Sequence, residues 1–436
     1  MPWNDRTLHF IAIGGAGMSG LALVCSELGA AVTGSDRAES TYIERLRAAG
    51  LQPVIGHDAA NLPAAAEVVV STAISADNPE LALARERGQR VLHRGELLAE
   101  LCAERRLIAV AGTHGKTTTT AMIAWALRGL GEDPTFFLGG ELAGAGPGGS
   151  DANAAWGKGE WVVAEADESD ASFLALRPEI AVVTNLEMDH HSHWSSLAEL
   201  HDAFRRFLDP AAGVALAAAP ELDDLAGSGE RRLIRFDAGS PGPAQLKLAV
   251  PGRHNLLNAR AALGALELAG ADGGRAAAAL AGFPGVRRRL ESKGARNGAR
   301  IFDDYAHHPT EVRAALEALR ELGPGRLIAV FQPHLFSRTK AFSEQFGEAL
   351  AAADEVAVLD VYPAREEPVG ELAGVSGLQV ARAAADRSRG RPVWWLLDAE
   401  RAEQALAPRL GEGDLLVTIG AGDVFQLADR LVEDPA

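Results

Sequence analysis

One segment constrains this chain more than any other: Ile108-Ala-Val-Ala-Gly112-Thr-His-Gly115-Lys116-Thr117-Thr118. The segment Arg106–Ala111, apolar from Leu107 on, reads as a strand. It feeds a glycine turn that opens a helix over Thr117–Leu130. At a helix N-terminus the first backbone N–H groups have no partner within the helix, and its dipole favours an anion there. A lysine directly after the second glycine can reach the outer phosphates of a nucleoside triphosphate, and the next threonine hydroxyl is placed for Mg²⁺. The general phosphate-loop pattern would have a glycine at position 110, where this chain has Val110. The loop is therefore a shortened form, G-x-x-G-K-T.

Strand and helix patterns alternate around this loop, which implies βαβ units and parallel sheets. The first unit reads as strands at His9–Ile13, Ala31–Thr33 and Glu67–Ser71, with a helix at Ser19–Leu28. The second adds strands at Trp161–Glu165 and Ile180–Thr184 and a helix at Asn255–Leu268. The third begins near Arg287, with strands at Arg300–Asp304, Arg326–Gln332, Val356–Val361 and Leu415–Ile419 and a helix at Thr310–Arg320. Gly139–Gly159 reads as an irregular loop, and residues 211–250 carry no clear periodicity. At about 150 residues per domain, 436 residues suggest three domains.

The net charge of −17 argues against general nucleic-acid binding, because phosphate backbones attract basic surfaces. It leaves room for one nucleotide held locally by a glycine loop. Cys25 and Cys102 are read as reduced and buried. The start of the chain lacks a basic-then-apolar leader, and no apolar run approaches the roughly 20 residues of a membrane span. The expected location is the cytoplasm, with no membrane partner. His190, His191 and His193 lie together on an irregular segment, but no cysteine completes a zinc set.

In the first unit Gly15, Gly17 and Gly20 follow a strand as G-x-G-x-x-G, and Asp36 comes about twenty residues on. Alone, this would read as a dinucleotide site. The same backbone can cradle any pyrophosphate, and the Lys116 loop favours that wider reading.

Six ordered motifs carry a resemblance over essentially the whole chain. They are Gly14-Gly-Ala-Gly-Met-Ser-Gly20; Gly112-Thr-His-Gly-Lys-Thr-Thr118; Glu165-Ala-Asp-Glu-Ser-Asp170 with Thr184-Asn-Leu-Glu-Met-Asp-His190; Gly252-Arg-His-Asn255-Leu-Leu-Asn258; Gly285-Val-Arg-Arg-Arg289 with Asp303-Asp-Tyr-Ala-His307; and Phe331-Gln-Pro-His334. The chain resembles the Mur ligases. The resemblance implies an α/β fold of three domains: an N-terminal Rossmann-like domain for a UDP-sugar (1–104), a central P-loop ATPase-like domain (105–286) and a C-terminal Rossmann-like domain for an amino acid (287–436). It implies ATP and Mg²⁺ as cofactors, UDP-N-acetylmuramate and L-alanine as substrates, and a monomer or homodimer.

The resemblance also assigns residues. Gly112, Thr113, His114, Gly115, Lys116, Thr117, Thr118, Asn255, Asn258 and Asp304 would bind ATP. Thr117, Glu165 and His190 would hold the metal, and Arg289 would act with Lys116, Glu165 and His190 in catalysis. Gly15, Ala16, Gly17, Met18, Ser19, Asp36, Ser71 and Thr72 would line the UDP-sugar site. Tyr305, His307, His334 and Arg338 would face the amino acid. Asp167 and Glu168 are read as solvated or structural, and Arg287 and Arg288 as surface or hinge residues. The chain departs from the family at Leu335, where an arginine is expected. A sister ligase that attaches a recycled peptide to the same sugar nucleotide is the nearest alternative. An NAD-dependent oxidoreductase would leave Lys116, Glu165 and Asp304 without a role; a nucleotide-binding regulator without ligase turnover draws its only support from Leu335, which leaves Arg338 without the second arginine.

Overall fold

A computed structural model describes residues 2–146, 151–188, 194–227, 231–240, 246–364 and 366–433. These residues form three α/β sheets. The first has five parallel strands, β1 (Thr7–Ile11), β2 (Ala31–Asp36), β3 (Val54–Ile55), β4 (Glu67–Val70) and β5 (Val91–His93), in the order β3-β2-β1-β4-β5. The second has seven: β6 (Arg106–Ala111), β7 (Thr135–Leu142), β8 (Ala152–Ala155), β9 (Trp161–Glu165), β10 (Ile180–Val183), β11 (Gly213–Ala217) and β12 (Arg232–Phe236). Their order is β12-β11-β10-β6-β9-β7-β8, with only β8 antiparallel. The third has six: β13 (Glu291–Arg296), β14 (Ala299–Asp304), β15 (Arg326–Phe331), β16 (Glu355–Val358), β17 (Val393–Trp395) and β18 (Asp414–Ile419). They run β13-β14-β18-β15-β16-β17, with β13 antiparallel.

The chain divides into two compact units, Met1–Leu248 with Leu256–Pro284, and Ala249–Asn255 with Gly285–Ala436. In the first, one continuous apolar core runs from Leu8 and Phe10 under the first sheet to Phe204 and Leu225 under the second. In the second, the third sheet carries a core on each face, one around Phe331 and Phe346 and one around Ile328 and Leu427. Both arrangements follow from strands that read as unbroken apolar runs, since parallel sheets are covered on both sides.

One sequence expectation fails, and one segment without periodicity proves to hold strands. Gly139–Gly159 is not an irregular loop: β7 runs to Leu142 and pairs antiparallel with β8. Ala152, Asn153 and Ala154 are buried. A Cβ on Gly20 would stand 2.9 Å from the Ala154 Cβ, so β8 lies close against the helix Ala16–Glu27. The strand is fixed by that distant helix, and its Ala- and Asn-rich sequence has no alternation to announce it. Residues 211–250, left unassigned, contain β11 and β12, which extend the central sheet edgewise. The cysteines match expectation: both are buried and free, and burial pushes the Cys25 thiol up to about 12.

Candidate active site

The strand β6 delivers the phosphate loop, and the helix Lys116–Gly129 leaves it. Gly112 and Gly115 take φ of +133° and +82°, a region that favours glycine. Space forbids a side chain too: a Cβ on Gly112 would lie 2.2 Å from Thr184 Oγ1, and one on Gly115 2.4 Å from Asn258 Oδ1. The segment after β10 clamps the loop. Asn185 Oδ1 accepts from His114 N at 2.9 Å, while Thr184 Oγ1 and Asn185 Nδ2 donate to His114 O at 2.6 and 2.9 Å. Thr113 Oγ1 donates to Glu187 O and accepts from Glu187 N.

Lys116 Nζ is folded back onto this loop. It donates to Gly112 O at 2.6 Å and Thr113 O at 3.2 Å, and pairs with Glu168 Oε1 and Oε2 at 3.0 and 2.9 Å. Nearby carboxylates outweigh burial and hold Lys116 charged, with its pKa raised well above the ordinary lysine range. Glu168 is 2% exposed, so of the two readings, solvated or structural, the solvated one fails. Burial outweighs the pull of Lys116 there and pushes its carboxyl up to about 7. Thr117 Oγ1 donates to Glu165 Oε2 at 2.8 Å, and Gly139 N donates to the same oxygen. Two hard oxygen donors thus meet at the start of the helix, a set that suits Mg²⁺. Thr118 is buried behind them, and Thr119 Oγ1 donates to Asn258 Oδ1 at 3.3 Å.

In the first sheet, Gly15 caps the helix that begins at Ala16 and includes Gly17, Met18 and Ser19. Asp36 ends β2, and its Oδ2 accepts from Gly14 N at 2.8 Å. That carboxylate shapes the glycine loop directly. Asn153 Nδ2 donates to Ala16 O and to Ser19 Oγ, tying β8 to the same helix. Ser71 and Thr72 follow β4 in a turn, Ser71 half-buried and Thr72 exposed.

In the second compact unit, Tyr305, His307, His334 and Arg338 come together after β14 and β15. The Tyr305 and His307 rings meet edge-on at 5.4 Å, His307 and His334 at 6.3 Å, and Arg338 Nη1 stands 3.5 Å from His334 Nδ1. The Arg289 guanidinium lies 5.2 Å from the Tyr305 ring and 3.7 Å from Glu311 Oε1. Asp304 is buried, with Oδ2 accepting from Leu290 N and Oδ1 from Ala306 N at 2.7 Å each. Burial pushes it up to about 6. Arg288 also stacks on Tyr305, its guanidinium 4.9 Å from the ring, while donating to Asp303 and to Gly420 O. Asn255 Nδ2 donates to Pro251 O. Leu335 takes φ +69° at the start of the helix Phe336–Leu350.

Family models for the Mur ligase family catalytic domain, the Mur ligase middle domain and the Mur ligase glutamate ligase domain match residues 7–106, 110–226 and 288–422. The UDP-N-acetylmuramate–L-alanine ligase of Renibacterium salmoninarum is 46% identical, covering 98% of this chain and 95% of its own. The chain belongs to the Mur ligase family. The enzyme of the same name from Kineococcus radiotolerans is 47% identical over the same shares. Among solved structures, the UDP-N-acetylmuramate–alanine ligase of Thermotoga maritima gives a TM-score of 0.82 at 29% identity, covering 98% of each chain. A murein peptide ligase from Psychrobacter arcticus gives 0.71 at 26%, covering 99% of this chain and all of that one.

For this Mur ligase, sequence reasoning grouped the phosphate loop with Glu165 and grouped the four residues around Tyr305, and the structure brings each group together. It missed Glu168, Thr184 and Asn185 as the partners that hold Lys116 and His114. Their signal was present: Glu168 lies three residues after Glu165, and Thr184 and Asn185 directly follow an apolar strand. His190, with His191 and His193, lies outside the described residues. Among the described residues no helix is long and apolar enough to cross a membrane.

Proposed function

We propose that this chain joins L-alanine to the lactyl carboxylate of UDP-N-acetylmuramate, converting ATP to ADP and phosphate, in peptidoglycan precursor synthesis. The observation that carries this reading is the loop Gly112–Thr118, with Lys116 and the Thr117–Glu165 pair at its helix, in a chain close to half identical to alanine ligases.

A carboxylate is a poor electrophile. In the first step its oxygen attacks the γ-phosphorus of ATP, the bond to ADP breaks, and an acyl phosphate forms. In the second, the neutral amine of alanine attacks the carbonyl carbon. The carbon–oxygen bond to phosphate breaks and the nitrogen loses a proton, leaving the amide. Transfer between anions depends on charge neutralisation and alignment. Lys116 supplies a fixed positive charge on the loop that cradles the phosphates, exchanging Glu168 for a phosphate oxygen. Thr117 and Glu165, with His190, would hold Mg²⁺, which offsets phosphate charge when bound.

The reading assigns the UDP-sugar to 1–104, through Gly15–Ser19, Asp36, Ser71 and Thr72. ATP falls to 105–286, with Asn255, Asn258, Asp304 and Arg289 completing its contacts. The amino acid falls to 287–436, through Tyr305, His307, His334 and Arg338. It includes a cytoplasmic location and a monomer or homodimer. Phosphate release, measured with ATP, UDP-N-acetylmuramate and a panel of amino acids and a murein tripeptide, tests it. Turnover with L-alanine is expected. Turnover with the tripeptide alone would replace this reading by the peptide-ligase one.

A further inference from the structure

Within the first compact unit the two glycine loops are joined by an acidic pair. Asp167 and Glu168 are adjacent in the chain and hold different cations. Glu168 holds Lys116 of the phosphate loop, and Asp167 Oδ2 accepts from Arg94 Nη2 at 2.7 Å. Arg94 comes from the first sheet, where it opens the helix Arg94–Cys102 directly after β5. Its backbone has little freedom. His93 caps that helix in a reciprocal arrangement with Glu96, and a Cβ on Gly95 would stand 2.4 Å from the Ser172 Cβ.

The other side of the guanidinium faces the first glycine loop. A Cβ on Gly17 would lie 3.4 Å from Arg94 Nη1, so only the glycine's bare backbone separates Arg94 from the start of the helix Ala16–Glu27. Among the described residues Nη1 makes no hydrogen bond, whereas Nη2 is held by Asp167, with Asp170 Oδ2 at 3.7 Å. The side chain is 25% exposed. One arm of a rigid fork is therefore anchored, and the other is presented over the loop. A planar guanidinium in this state suits a phosphate or carboxylate oxygen.

We infer that Arg94 binds an anionic group of the sugar nucleotide, with Asp167 as the positioning residue that holds its guanidinium over Gly17. The inference rests on the proposed function, since it takes the first glycine loop as the UDP-sugar site. Asp167 and Glu168 then prepare one cation for each substrate, Arg94 for the sugar nucleotide and Lys116 for ATP.

The test uses the full chain. Wild-type turnover with L-alanine is measured first; its absence would count against the proposed function and not against Arg94. Calorimetric binding of UDP-N-acetylmuramate and of UDP-N-acetylglucosamine, which lacks the lactyl carboxylate, is then compared for wild type, Arg94→Ala and Arg94→Lys. Losing a charge-assisted hydrogen bond should weaken UDP-N-acetylmuramate roughly 10- to 100-fold in Arg94→Ala, with the KM for ATP unchanged. Arg94→Lys keeps the charge and should recover part of the loss. Weakening of both ligands assigns the contact to the pyrophosphate, and weakening of UDP-N-acetylmuramate alone assigns it to the carboxylate. Unchanged affinity for UDP-N-acetylmuramate in folded Arg94→Ala would overturn the inference. So would a rise in the KM for ATP that matches the loss of sugar-nucleotide affinity, because that is what a mere brace between the sheets would produce.

Discussion

Replacing Glu168 by glutamine removes a carboxylate that the fold keeps in contact with Lys116 while denying it water. Both carboxylate oxygens lie within 3.0 Å of Lys116 Nζ, yet burial and the neighbouring Asp167 together outweigh that attraction. The group moves from an ordinary value of 4.5 up to about 7. An acid whose pKa is raised by folding binds its proton more tightly in the native state. Its contribution to stability is fully present below pH 4.5 and is lost as pH rises through about 7. At about 1.4 kcal/mol per pH unit between the two values, the loss is about 3 kcal/mol. Glutamine keeps the shape and has no proton to release in this window. The stability of Glu168→Gln relative to wild type should therefore rise by about 3 kcal/mol between acidic and mildly alkaline pH. Urea unfolding of both proteins, at about pH 4.5 and about pH 8, measures it, and titrations common to the two proteins cancel in the difference. A difference that stays constant with pH would refute the reasoning, because it would mean that Glu168 titrates alike in the folded and unfolded chain.

Lys116→Ala should lower kcat for phosphate release by about 10²- to 10³-fold, the cost of removing one fixed charge from a phosphoryl-transfer site; retained turnover would remove Lys116 from the mechanism. Glu165→Gln should shift the Mg²⁺ dependence of turnover upward by about 10-fold or more. An unaltered Mg²⁺ titration would take Glu165 out of the metal site. Leu335→Gly should stabilise the chain by about 1 kcal/mol, since leucine holds φ +69° where glycine would not be strained; a lower urea midpoint would show that the leucine side chain contributes more than its backbone costs.

The sequence announced those parts of the site whose chemistry is local. A strand, two glycines and Lys-Thr lie within one short segment, so β6, the turn and the helix were legible together. The boundaries of Arg106–Ala111 and Trp161–Glu165 agree to the residue, because each is an apolar run, Leu107–Ala111 and Trp161–Ala164, with one charged residue at its end. The partners of that loop were less legible. Glu168 was read as solvated or structural, and what covers it comes from elsewhere: Trp194, far along the chain, donates to its backbone carbonyl. The strand β8 was hidden for a similar reason. Its residues are small and buried against a helix more than a hundred positions earlier, so no period-2 pattern was needed to hold it. Asp36 was read as a ligand-facing carboxylate from its spacing, which gives distance along the chain but not direction. Its Oδ2 also accepts from Gly14 N and braces the glycine turn, a contact that spacing does not give.

The docking of β8 on the helix Ala16–Glu27 bears on how this chain could be recombined with its relatives. Cut at residue 104, the polypeptide would separate cleanly between a helix and a strand. The packing does not divide there. Asn153 reaches back to Ala16 and Ser19, and Glu141 on β7 holds Arg45 through two hydrogen bonds. A chimaera that exchanged only the first hundred residues would import a helix surface shaped for a different hairpin. Exchange would have to carry residues 135–155 along with the first sheet, so the heritable module here is discontinuous in sequence.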